Sequence, residues 1–218
     1  MASPRDGAAS PDRRFRRDTL EFGRIVNLSD GVFAIALTLL VLGLELPDGG
    51  SGSMAEQLRG RLPNLIAFAL GFALVANIWW EHHKLVARLA YFDPRSTALN
   101  LLALGLVALA PFPTGLIGAA PTERAAVLPF IAIFVALMAV FLALILRVQR
   151  TGAWSEAPSP RLFRWVIAGW WAELAGLLLA LLVAIVVPLA GLALAALKSP
   201  LIAAFMSRRA PPGYADWA

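Results

Sequence analysis

Few side chains in this 218-residue sequence are equipped for chemistry, and those that are sit inside apolar runs. Asp30 follows Ser29 near the start of one run; His82 and His83 are adjacent, just after Trp79, Trp80 and Glu81; Asn100 opens a leucine-rich stretch. Glu173 and Lys198 stand isolated in two later apolar stretches. The absence of cysteine removes disulfides, thiolate metal ligands and cysteine nucleophiles. Adjacent helical residues point about 100° apart, so His82 and His83 converge poorly on one ion, and no acidic set beyond Glu81 accompanies them. No metal site or cofactor is expected. Nor do a nucleophile, a base and an orienting group come together as an enzyme requires. The shared property of these residues is their setting, because an ionisable group inside a long apolar segment is a functional candidate by default.

The elements that must position them are membrane spans. Hydrophobic residues make up 59% of the chain and charged residues only 15%, more apolar surface than a soluble domain of this size could hide. These residues fall in six blocks, at about 24–46, 63–89, 97–120, 125–147, 162–184 and 188–206, each near the ~20 residues that cross a bilayer. The last two must be separate spans, because one helix over 162–206 would be about 68 Å long. Val187-Pro188 to Gly191 is the natural break. Pro111-Phe112-Pro113-Thr114 predicts a kink in the third block, where freed carbonyls could also coordinate a cation. Residues 1–20 read as a flexible basic tail, 21–207 as the membrane domain and 208–218 as a short second tail. The first block is too long for a signal-peptide core and lacks a small-residue cleavage site after it.

The net charge of +5 could suggest nucleic acid, but the basic residues flank apolar blocks instead of forming a stripe. With the N-terminus inside, all of the 19 Lys and Arg except Arg59, Arg61 and Arg124 fall on the cytoplasmic side. Both termini are therefore expected to be cytoplasmic, in a multi-pass protein of the cell (inner) membrane. No nucleic-acid partner is expected.

The first span carries the clearest pattern. With Ile35 at zero and about 100° per residue, Leu39 falls near 40°, Leu42 near −20°, Gly31 near −40° and Leu46 near 20°. One narrow face is thus aliphatic, while Asp30, near 220°, lies opposite. Such a stripe can meet lipid or another helix. Alternatively, several copies can surround an axis and form an aliphatic constriction that controls permeation by dewetting. Periodicity does not choose between these. Asp30 lies about 9 Å inside the span, at the level expected for His82, His83 and Asn100, so a hydrogen-bonded cluster of these residues is expected. Arg24 lies about 120° from Asp30 around the helix, too far for contact within it. Pairing, snorkelling or facing a cavity remain open for Glu173 and Lys198.

Arg24, then Ser29-Asp30-Gly31 and Val-Phe-Ala-Ile-Ala-Leu-Thr-Leu-Leu-Val-Leu, resembles the first-helix signature of bacterial homologues of transmembrane protein 175, the lysosomal potassium channel. Asn77-Ile-Trp79-Trp80-Glu-His82-His83 and Asn100-Leu-Leu with Pro111-Phe-Pro-Thr114 are similar to the family's second and third helices, in order. The resemblance covers about residues 24–115; the rest is similar only in hydropathy. It implies a homotetramer of six-span subunits, all α-helical, with first helices lining a central pore that conducts potassium with modest preference over sodium. It also implies that Ile35, Leu39 and Leu42 form the constriction, with Thr38 placing a hydroxyl beside it. Arg24, Ser29, Asp30, His82 and Asn100 match the family's polar network, which holds the pore helix. Leu28 departs from the phenylalanine usual before Ser-Asp, which bears on local packing. The rival reading is an ion-coupled secondary transporter using Asp30 and Glu173; the lack of an internal repeat counts against it.

Overall fold

The computed structural model describes residues 14–44 and 53–215. Most of the basic tail, Leu46 and residues 216–218 lie outside these. Among the described residues six helices are long and apolar enough to cross a membrane: Leu20–Leu44, Leu62–Ala87, Pro94–Ala119, Arg124–Thr151, Pro160–Val186 and Pro188–Arg208. The first comprises α1 (Leu20–Leu39) and a 3₁₀ segment, Leu40–Leu44. A short helix, α2 (Met54–Gly60), leads into α3 (Leu62–Ala87). The third span is α4 (Pro94–Leu109) followed by α5 (Pro111–Ala119); the others are α6 (Arg124–Thr151), α7 (Pro160–Val186) and α8 (Pro188–Arg208).

Local chemistry explains the boundaries. Thr19, Ser53, Asp93 and Ser159 each accept a hydrogen bond from a first-turn amide, satisfying donors that no helical carbonyl reaches. Pro94, Pro160 and Pro188 stand at first helical positions, where their missing N–H costs nothing. The Pro111 kink is a break at Ala110, and the turn between the last two spans falls at Val187. There Gly191 is required by close approach: a Cβ would lie 2.4 Å from that of Ala184. Helix α6, the most enclosed span, supplies the central aromatic core through Phe130, Phe134 and Phe141, and packs on α4, α5, α7 and α8.

The chain leading into the first span is more ordered than a flexible tail through residue 20 implies. Phe15–Arg16 (β1) pairs antiparallel with Tyr91–Phe92 (β2), and α1 begins at Leu20. Arg17 donates to the carbonyl of Ala87 at 2.8 Å, and Phe22 packs on Phe92 with ring centroids 5.3 Å apart. A second core forms beneath, with Leu89, Val148 and Trp154. Beside it, Arg147 Nε and Nη2 donate to Asp93 Oδ2 at 2.9 and 2.7 Å, while Asp93 Oδ1 accepts from the Ser96 amide at 2.7 Å.

Burial pushes the Asp93 carboxyl upward, but hydrogen bonds from Ser96 and Arg147 and the guanidinium charge outweigh it, leaving Asp93 below its ordinary 3.8. A depressed carboxylate stabilises the fold fully above its unfolded pKa and loses that contribution as pH falls through the folded value. The thermal-stability advantage of wild type over Asp93→Asn is therefore expected to be constant above about pH 5 and to shrink below about pH 4. An advantage that grew on acidification would refute this assignment.

Candidate functional site

Helix α1 is packed on one side and bare on the other. Ser29, Phe33, Ala36 and Leu40 are buried, against α3 and α4 among others. Ile35, Leu39 and Leu42 are 61%, 41% and 57% exposed in the single chain. The stripe derived from periodicity is thus a face that the rest of the chain leaves uncovered. Thr38 is exposed beside it, its hydroxyl donating to the Ile35 carbonyl at 2.8 Å.

The end of this helix departs from simple α-periodicity. From Leu40 the backbone tightens to 3₁₀, with about 120° per residue, so Leu42 stands above Leu39 near 40° instead of −20°. It stays on the stripe. Asn64 Nδ2 donates to the Gly43 carbonyl at 3.1 Å, tying this tightened end to α3.

Behind the stripe, a chain of buried polar groups joins three spans. Asn100 receives a hydrogen bond from His82 Nε2 at 2.8 Å on its Oδ1 and donates from Nδ2 to Ser29 Oγ at 3.0 Å. Ser29 Oγ donates onward to the Ile25 carbonyl at 2.9 Å. An amide oxygen accepts only, so Nε2 of His82 carries the proton in this bond. The three side chains are essentially enclosed, with the imidazole between Phe33 and Phe141 at 5.5 and 5.8 Å. Every link is directional, so the chain fixes both the rotation and the depth of α1 against α3 and α4.

Asp30 is not bonded into this chain. It accepts from Trp79 Nε1 at 3.1 Å, because one residue beyond Ser29 the helix has turned about 100°. Trp79, on membrane helices more often an interfacial anchor, was missed by sequence reasoning; its place on α3, three residues before His82, was the available signal. His83 stacks with Trp79 and Trp80, at 5.6 and 5.9 Å, and does not reach Asp30. Arg24 also stands apart: it is exposed, near −20° on the bare stripe, and among the described residues its side chain has no hydrogen bond or ion pair. Glu173 and Lys198 resolve the alternatives left open for them by pairing, with Lys198 donating to Glu173 Oε2. No group of three or more His, Asp or Glu among the described residues could hold a metal.

These features define a multi-pass helical membrane protein whose first span is clamped by polar bonds on one side and aliphatic and uncovered on the other. The family described as endosomal/lysosomal potassium channel TMEM175 matches residues 24–111, which include every candidate position above from Arg24 to Asn100. A potassium channel of Streptomyces collinus is 34% identical over 137 residues, covering 61% of this chain and 66% of its own length. The crystal structure of a lysosomal potassium-selective channel TMEM175 homolog from Chamaesiphon minutus is similar with TM-score 0.74 at 26% identity, covering 86% of this chain and 99% of that one. The human endosomal/lysosomal proton channel TMEM175 is 32% identical over 115 residues, 47% of this chain and 23% of its own length. Residues 24–111 of the chain thus match the TMEM175 family, and the chain spans under two thirds of the length of the curated relatives it matches.

Proposed function

We propose that this protein is a potassium-conducting channel in which four copies of the chain surround a central pore lined by α1. The supporting observation is the bare aliphatic stripe of Ile35, Leu39 and Leu42 on a helix otherwise packed and clamped within its own subunit. Such a face, left bare by its own chain, is free to line an axis shared by several copies. The three side chains stack as rings that set the narrowest radius and act as both gate and filter, with modest preference for potassium over sodium and no carbonyl filter. Thr38 sets a hydroxyl beside the constriction. The Ser29–Asn100–His82 chain and the Asp30–Trp79 bond hold α1 in place, and Arg24 lies on the pore-facing stripe at its basic end. The termini are cytoplasmic, in the cell (inner) membrane. The Streptomyces and Chamaesiphon relatives, named as a potassium channel and a potassium-selective channel homolog, support the ion; the human relative is named a proton channel.

The test is the reversal potential of the purified protein in a planar bilayer with potassium on one side and sodium on the other. Ohmic current reversing toward the potassium potential is expected. Absence of current, with saturable solute-coupled flux in liposomes, would replace this reading with the transporter.

A further inference from the structure

A cavity of about 180 Å³ lies away from the stripe, lined by α3, α6, α7, α8 and Tyr214. Helix α3 packs chiefly on α1 and α5, whereas α7 and α8 pack on each other and on α6, so the cleft between these two groups is left unfilled. None of Ile35, Leu39 and Leu42 reaches it. Much of its wall is apolar, from Leu74, Phe134, Met138 and Leu177.

Its charged groups are arranged in two internally neutral pairs, and Asn77 also stands on the wall. Lys198 and Ser199 both donate to Oε2 of Glu173, the latter at 2.9 Å, and Lys84 donates to Oε1 of Glu81 at 2.6 Å. These bonds fall on one oxygen of each carboxylate, and with the Glu173 and Glu81 side chains 19% and 33% exposed, both carboxylates stand on the cavity wall. Glu173 lies 13 residues into the 27 of α7, and Lys198 ten residues into the 21 of α8, so the pair sits midway along both spans. An ion pair at that depth is costly unless its remaining acceptors are met. Lipid chains have no donor to offer. Whatever fills the cavity must bring N–H or O–H groups to the carboxylates and hydrocarbon to the walls.

Water meets the first demand and not the second. Trp170 and Phe141, with ring centroids 6.1 Å apart, add two aromatic rings to the lining, and Tyr214 lines the cavity near Glu81. Burial, with the Glu81 charge adding to it, holds the Tyr214 phenol above its ordinary value, consistent with a ring lodged in that wall.

We propose that this cavity is a second site, separate from the stripe, for a small organic ammonium ion with an aryl or alkyl body. The ammonium donates to the carboxylate of Glu81 or Glu173, and the body lies against the apolar wall. This inference does not rest on the pore reading.

The test uses the full chain in nanodiscs, with 2-phenylethylammonium as probe and neutral 2-phenylethanol as its isostere, followed by calorimetry. Because the sequence has no cysteine, Ile202→Cys places a single thiol on the cavity wall for labelling by a cationic thiol reagent. Saturable amine binding at least about tenfold tighter than the alcohol is expected, weakened about tenfold by Glu81→Gln. The amine is also expected to slow Ile202→Cys labelling at least about fivefold, and Leu39→Ala to retain binding. Absence of saturation, equal affinity for the alcohol, loss of binding in Leu39→Ala, or labelling that the amine leaves unchanged would overturn the proposal. The last result would mark the cavity as holding water alone.

Discussion

Leu39→Ala is expected to raise unitary conductance by at least about twofold and to move the potassium-to-sodium permeability ratio toward one. The argument is steric and hydrational. Leu39 is the central member of the stripe and is 41% exposed in the single chain, so in the proposed pore shortening it removes three carbons from each copy without opening the chain's own core. A wider aliphatic ring lets a cation keep more of its water shell, and an ion that keeps its shell is read less by its size. The neighbouring Leu40, 3% exposed and turned inward, is the control. Leu40→Ala should reduce thermal stability through a core cavity and leave the permeability ratio in place. Equal conductance and selectivity in Leu39→Ala and wild type would remove α1 from the permeation path.

The second large effect belongs to Asn100. Its replacement by Ala strips the partner from His82 Nε2 and from Ser29 Oγ at once, and the site is fully enclosed, so water cannot readily restore either bond. A loss of about 2–4 kcal/mol is expected, seen as an apparent Tm lower by about 5–10 °C in detergent. Ser29→Ala removes the bond from Asn100 and the local bond to the Ile25 carbonyl but leaves His82–Asn100 in place, and should cost about half as much. A Tm unchanged by Asn100→Ala would show that apolar packing alone sets the position of α1.

Much of the architecture was legible in order of hydropathy and proline placement. A bilayer demands uninterrupted apolar length, so six blocks became six helices, and the breaks at Pro188 and near Pro111 follow from the missing N–H of proline. The bare stripe was also legible, because a 100° step is a property of any α-helix. What escaped depends on relations between elements. Asp30 and His82 share a depth, but which of them meets α4 is decided by azimuth, and one residue of rotation gives Asn100 to Ser29 and Trp79 to Asp30. The Glu173–Lys198 pair needs the register of two spans, which hydropathy does not carry. The β1–β2 pairing is two residues long, too short for any alternating pattern to announce it.

The tightened segment Leu40–Leu44 has a mechanical consequence. A 3₁₀ residue advances about 2.0 Å against 1.5 Å in an α-helix, and turns about 120° against 100°. Leu42 is three residues beyond Leu39, so relaxing that interval to α-geometry would swing it about 60° around the axis and draw it back about 1.5 Å. This stretch is in effect a coarse screw thread, held at its far end by the Asn64–Gly43 bond, on which rotation and travel are geared together.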